Sequence, residues 1–161
     1  MGVDRVPSSS AMPSHDDGCL FCQILAGKAP ATVLYEDDIA IVILDLFPIR
    51  AGHTLIIPRH HAPLLEQQSE AVSAHLFTLA RRVIAAHKQV GLELDAHNVV
   101  LNDGKAANQH VPHVHVHVIP RKAGDTAKMV MRWWTRMLPF TSMAARRRRL
   151  EAVAERLRGL I

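Results

Sequence analysis

Two things are scarce in this sequence of 161 residues: cysteine and long apolar runs. The only cysteines are Cys19 and Cys22, too few for the disulfide framework of a small secreted domain. A C-x-x-C pair in a reducing compartment points instead to metal or redox chemistry. No apolar run reaches the roughly 20 residues that span a bilayer. The N-terminus lacks the apolar core of a secretion signal. These absences lead us to expect a soluble, cytoplasmic protein with no membrane partner. Internal repeats are also lacking, which excludes solenoid and propeller architectures. The formal net charge of +4 does not by itself imply nucleic-acid binding, because it is unevenly spread. Residues 1–120 carry 8 Lys/Arg against 12 Asp/Glu, whereas residues 121–161 carry 11 against 3. The basic character belongs to the C-terminal segment alone.

Nearly half of the residues are hydrophobic, enough for one domain with a real core. Residues 1–17, rich in Ser, Pro, Asp and Gly, read as a disordered tail. Residues 19–27 read as a short helix closed by Gly27. Two strands, 33–36 and 39–44, form a hairpin turning at Asp37-Asp38. A third strand, 54–57, is stopped by Pro58. Ser69 caps a helix running to about Val90, with Val72, Leu76, Leu79, Val83, Ala86 and Val90 spaced by three and four. Strands follow at 98–101 and 111–119, the last stopped by Pro120. Residues 127–138 and 143–160 read as helices, the second with Leu150, Val153, Leu157 and Leu160 on one face. This order predicts an α+β fold on an antiparallel sheet, with a domain at 18–126 and a helical C-terminal extension at 127–161.

The strongest local signal is His113-Val-His115-Val-His117-Val-Ile119. Alternate residues of a strand share a face. The three imidazoles therefore line one side, and Val114, Val116 and Val118 the other, toward the core. Three polar rings do nothing for a core, so their face should border a site. A metal site would use two of the rings on one ion. A catalytic site would use one as nucleophile and the others as orienter and phosphate donor. Periodicity leaves both open.

The run resembles the histidine-triad (HIT) superfamily, whose signature is His-φ-His-φ-His-φ-φ with φ hydrophobic. The resemblance covers about residues 19–126. It includes Leu20-Phe-Cys-Gln-Ile-Leu-Ala-Gly27, Tyr35-Glu-Asp37, Leu44-Asp-Leu-Phe-Pro48, Gly52-His-Thr-Leu-Ile-Ile-Pro-Arg-His-His61 and Leu101-Asn-Asp-Gly104. The N-terminal half is similar to the Hint-type bacterial branch. Pro120-Arg-Lys-Ala-Gly-Asp125 is similar to the Fhit branch, whose members hydrolyse dinucleoside polyphosphates.

The resemblance implies the HIT fold: a five-stranded antiparallel sheet with one long helix and C-terminal helices. It implies a hydrolase that cleaves a P–N or P–O bond at a nucleotide α-phosphate and releases a nucleoside monophosphate, AMP foremost. His115 matches the family nucleophile, which forms a nucleotidyl-histidine intermediate. An imidazole suits this work, being largely unprotonated near neutral pH and a good leaving group. His117 matches the histidine at the phosphate or leaving group, a position held by Gln in transferases. His113 and His53 complete the catalytic set. Asp45 matches the ribose-binding residue and Asn102 a phosphate contact, while Leu46 and Ile24 sandwich the base. Before the triad the family usually has Gly-Gln-Ser or Gly-Gln-Thr. Here the residues are Asn108-Gln109-His110, so an imidazole replaces the hydroxyl that assists the leaving group. All three remain nucleotide-binding candidates.

Some bacterial relatives carry zinc at positions matching Cys19, Cys22, His61 and His113, which implies a structural Cys2His2 site with no open position for substrate. His60 is the alternative to His61, and an empty, reduced C-x-x-C on a buried helix is the alternative to the metal. No organic cofactor is expected. His75, His87 and His97 read as surface or helix-face residues, Trp133 and Trp134 as packing anchors, and residues 146–149 as a solvated basic face. Family members usually dimerise through the long helix and an edge strand, so a homodimer is expected, with a nucleotide rather than a nucleic acid as partner. Two rival readings are a non-catalytic nucleotide-binding regulator and a nucleic-acid-end processing enzyme using the arginine run.

Overall fold

A computed structural model describes residues 15–92, 94–135 and 142–161. The apolar segments form strands β1 (Thr32–Glu36), β2 (Ala40–Leu44), β3 (Thr54–Pro58), β4 (Ala96–Leu101) and β5 (Val116–Arg121). The helices are α1 (Leu20–Leu25), α2 (Glu70–Gln89), α3 (Thr126–Thr135) and α4 (Met143–Leu157). The strands pair antiparallel in the order β1-β2-β3-β5-β4, which gives the expected α+β fold on a five-stranded sheet.

Every residue of β2 and β3 is buried because both sheet faces are covered. Val42, Ile56, Val116 and Val118 face one core with Leu76, Leu79 and Val83 of α2. Ile41, Ile43, Leu55 and Ile57 face another with Phe21 and Cys22 of α1. As expected, Ser69 caps α2, its hydroxyl accepting from the Val72 amide. The C-terminal segment is less of an appendage than the sequence suggests. Leu150, Ala154 and Leu157 of α4, with Ile161, belong to the α2-side core, where each fully buried Leu contributes about 1.5–3 kcal/mol.

Several boundaries differ from expectation. The fifth strand starts at Val116 rather than Val111. Pro112 lacks an amide donor, and the preceding segment docks elsewhere, the Val114 amide donating to the Ala62 carbonyl at 2.8 Å. Pro58 ends β3 as expected, being its last residue, whereas β5 runs past Pro120 to Arg121. At Pro120, β5 pairs with His97 of β4, while its register with β3 spans only Val116 to Val118. The missing donor therefore breaks no ladder bond on the β3 side. Of the expected tail, residues 1–14 lie outside the described residues. Asp16 is held in place, its Oδ1 accepting from the Gly18 amide. The expected helix end at 136–138 also lies outside.

His87 is a clear correction. It is not a surface histidine but fully buried, with Nδ1 3.3 Å from His97 Nε2. Trp134 is no packing anchor, being 78% exposed. Among the described residues no helix is long and apolar enough to cross a membrane.

Candidate active site and adjoining metal-ligand cluster

The triad keeps its predicted sidedness although only His117 lies within β5. Val114, Val116 and Val118 point into the α2-side core. The three imidazoles point toward α1, where the Phe21 ring meets His113 and His115 edge-on at 5.9 and 5.0 Å. The rings of His115 and His117 lie 4.8 Å apart.

Backbone carbonyls assign the protons. His115 Nδ1 lies 2.7 Å from the His113 carbonyl. A carbonyl only accepts, so Nδ1 carries the proton and the lone pair sits on Nε2. His53 Nε2 lies 3.0 Å from His117 Nδ1. The Ile49 amide, which only donates, approaches His53 Nδ1 at 3.3 Å. That favours a His53 protonated on Nε2 and donating to His117, whose own proton then sits on Nε2. Asp45 Oδ2 lies 3.4 Å from His53 Nδ1, ready to stabilise a fully protonated His53. Asp45 is held by the Phe47 amide, which donates to Oδ1 at 2.8 Å.

These groups open onto a cavity of about 290 Å³. Its lining includes the predicted Asp45, Leu46, Asn102, Asn108, His110, His115 and His117, and also Ile24. Asn108 adopts a φ of 63°, the left-handed conformation that asparagine tolerates in place of glycine. The Gln109 side chain is taken up within the loop. Its amide nitrogen donates to the Pro63 carbonyl at 2.8 Å, and its oxygen accepts from the Gly104 amide at 2.9 Å. Both ends brace the loop, so its side chain does not border the cavity.

Three residues near the site escaped the sequence reading. Phe21 of α1 is buried and sets its ring against two of the triad imidazoles. The Trp133 ring centroid lies 6.4 Å from that of His117. The arginine run is not uniformly solvated: Arg148 and Arg149 are exposed, but Arg146 and Arg147 are half-buried and Arg147 borders the cavity. No local sequence signal places α4 there, because that depends on its docking against the sheet.

Behind the triad, Cys19, Cys22, His61 and His113 converge, their ligand atoms all within 4.8 Å of one another. His113 Nδ1 lies 3.6 Å from Cys19 Sγ, 3.7 Å from Cys22 Sγ and 3.3 Å from His61 Nδ1. Cys22 Sγ is 3.4 Å from His61 Nδ1. Tetrahedral zinc, at about 2.0 Å to nitrogen and about 2.3 Å to sulfur, would set N···N at about 3.3 Å and S···N at about 3.5 Å. The donor set therefore fits. His113 Nε2–H donates to the Pro58 carbonyl at 2.8 Å, which turns the lone pair of Nδ1 inward. Burial above all pushes the His113 pKa down to about 4, keeping it neutral as a ligand must be. Burial pushes the Cys22 thiol up, so a cation would be needed to hold it as thiolate. His60, the alternative ligand, is exposed and outside the cluster.

Comparison with known proteins adds three kinds of likeness. A family model described as HIT domain matches residues 26–124. The chain is 32% identical over 146 residues to adenosine 5'-monophosphoramidase HNT1 of Saccharomyces cerevisiae, covering 91% of this chain and 89% of that one. It is 42% identical over 125 residues to adenylylsulfatase HINT3 of Arabidopsis thaliana, covering 77% of this chain and 60% of that protein. The crystal structure of a zinc-bound histidine triad family protein from Mycobacterium smegmatis superposes with a TM-score of 0.66 at 37% identity, over 86% of this chain and 94% of that one.

Proposed function

The chain belongs to the HIT domain family, and from that premise we propose that it is a nucleotide hydrolase working through His115. The observation that carries this reading is the proton assignment: Nδ1–H of His115 is fixed on the His113 carbonyl, leaving the lone pair on Nε2 beside His117. In the proposed reaction that lone pair forms an N–P bond to the α-phosphorus as the bond to the leaving group breaks. The His53–His117 pair enters this step with one extra proton, offset by the Asp45 carboxylate at His53 Nδ1; His117 Nε2–H passes to the departing amine or oxygen and the pair is left neutral. Water then attacks phosphorus and returns its proton through His117. The N–P bond breaks, and a nucleoside monophosphate leaves. Asp45 takes the ribose hydroxyls, Asn102 the phosphate, and Ile24 and Leu46 the base. The names of the yeast and Arabidopsis relatives support P–N or P–O cleavage at an adenylyl group, with AMP as product.

Cys19, Cys22, His61 and His113 are proposed to hold a structural zinc ion, which would tie α1 to the triad segment. A homodimer through α2 and the edge strand β4 is also proposed, in keeping with the exposed Phe77 and Val99 on those elements.

The test is intact mass after brief incubation of wild type, His115→Ala and His117→Ala with adenosine phosphoramidate or diadenosine polyphosphate, while released AMP is followed. AMP release should fall by on the order of 10³-fold or more in His115→Ala. A nucleotidyl adduct should form on wild type or accumulate in His117→Ala. Absence of adduct and AMP with both compounds would remove the reading, and the preferred compound would separate phosphoramidase from polyphosphate hydrolase.

A further inference from the structure

The C-terminal helix brings to the cavity a cation that the proposed hydrolysis does not use. α4 docks along the edge strand β1, where Arg158 Nε–H donates to the Val33 carbonyl at 3.0 Å. Leu150 sits in the core beside Leu34 and Leu44. Arg146 is turned aside, its guanidinium carbon 4.6 Å above the Phe47 ring. Arg147, one helical turn before Leu150 and on the same face, borders the cavity with it. Among the described residues Arg147 has no hydrogen-bond or ion-pair partner.

The sheet register says which end of the cavity this is. His117, Leu55, Ile43 and Val33 are successive cross-strand partners, so their side chains form one row from β5 to β1. His117, Leu55 and Ile43 line the cavity, and at about 4.8 Å between strands the row from β5 to β1 covers about 14 Å, comparable to an extended nucleotide. The inference rests on the hydrolase reading for its orientation. With the α-phosphate at His115 and His117 and the ribose at Asp45, the base lies toward β1 and α4. Ile24 and Leu46 cover its faces, which leaves its edge to Arg147. A guanidinium only donates. Guanine offers two adjacent acceptors, O6 and N7, to such a fork, whereas adenine replaces O6 with an amino donor. We propose that Arg147 is a specificity-determining residue that reads the purine edge and gives this site affinity for guanine nucleotides in addition to adenine nucleotides.

Calorimetric binding of GMP and AMP to the full-length wild type, Arg147→Met, Arg147→Lys and Arg148→Met tests this without requiring turnover. Arg147→Met should weaken GMP on the order of tenfold and leave AMP nearly unchanged. Arg147→Lys should behave like the Met variant, because charge without the fork does not read two acceptors. Arg148→Met, which removes an exposed charge from the same helix, should change neither. Equal losses of GMP and AMP, or undiminished GMP binding in Arg147→Met, would overturn the assignment. Turnover of guanosine and adenosine phosphoramidates is followed in parallel. Selective loss of GMP binding without turnover of either compound would remove the hydrolase reading and keep Arg147. Binding of neither nucleotide by wild type would overturn both.

Discussion

Acid should destabilise this protein through a histidine that has no part in the proposed chemistry. His87 is fully buried on α2, stacked on His97 with ring centroids 5.4 Å apart and planes inclined by 11°. Its Nε2 lies 3.5 Å from Thr54 Oγ1. Burial, and then the neighbouring His97, push its pKa down to about 4, with the Gly52 carbonyl partly opposing them. His97, facing it from β4, is itself lowered by burial and by Lys88. In the unfolded chain the same imidazole titrates near about 6.5. Between those values the unfolded state binds a proton that the folded state refuses. Stability is therefore whole above about pH 6.5 and drains away as the pH falls toward 4. At pH 4.5 the shortfall from this one residue is roughly 2–3 kcal/mol, at about 1.36 kcal/mol per unit, against a total stability of about 5–15 kcal/mol.

Two other groups respond to acid and must be separated from it. Asp37, held at about 2 by the Ala40 and Ile39 amides and by His75 against the opposing effect of burial, costs stability only below about pH 4. His113 shares the window of His87. The informative quantity is therefore a difference. Urea unfolding of wild type and His87→Gln is compared at pH 7.5 and 4.5 in chelator. The stability gap should move by roughly 2–3 kcal/mol in favour of the variant on acidification. Equal losses in the two proteins would refute the reasoning, whatever the variant costs at neutral pH.

Two further outcomes are expected. Cys22→Ser should lose bound zinc by elemental analysis, and chelator should lower the Tm of wild type but not of the variant; a full equivalent of zinc retained by Cys22→Ser would refute the ligand set. Gly52→Ala should destabilise by about 1–3 kcal/mol in denaturant, because Gly52 has a φ of +86° and an added Cβ would stand 2.8 Å from Leu92 Cδ1 and 3.2 Å from Pro120 Cγ. An unchanged midpoint would show that the turn before His53 relaxes freely.

What the sequence made legible was whatever depends on local period and local sterics. Ser69 and the three-and-four spacing after it located α2, and the period of two put the valines and imidazoles of the triad on opposite sides. The period itself separates two histidines that were read alike: His87, four residues after Val83 and three before Val90, lies inside the apolar stripe of α2 and is buried, whereas His75 lies at its margin and pairs with Asp37 at 2.8 Å. What it hid depends on packing between distant elements. Proline ends β3 at position 58 but does not end β5 at position 120, because whether a missing amide matters depends on which neighbour is alongside. The resemblance marked Gln109, but it could not show that its side chain braces the loop, because those two bonds form only once the loop at Gly104 meets Pro63. Similarly, four consecutive arginines read as one solvated face until the docking of α4 on β1 divides them between cavity and solvent.

His113 joins the metal-ligand cluster to the proposed nucleophile. Its ring is aimed at Cys19, Cys22 and His61 by the bond from Nε2–H to Pro58, and its carbonyl takes the Nδ1 proton of His115. One residue thus belongs to the cluster and also decides which nitrogen of His115 carries the lone pair. A ring serving as a ligand cannot also carry protons, so proton delivery in the proposed reaction falls to His117 and, behind it, His53. The three histidines, equal in the sequence pattern, are made unequal by their partners: in the proposed reaction His113 orients, His115 attacks and His117 delivers the proton. Damage to the C-x-x-C pair should therefore reach beyond stability, because a loosened His113 would also free the His115 ring to take the tautomer that presents a proton, instead of a lone pair, to phosphorus.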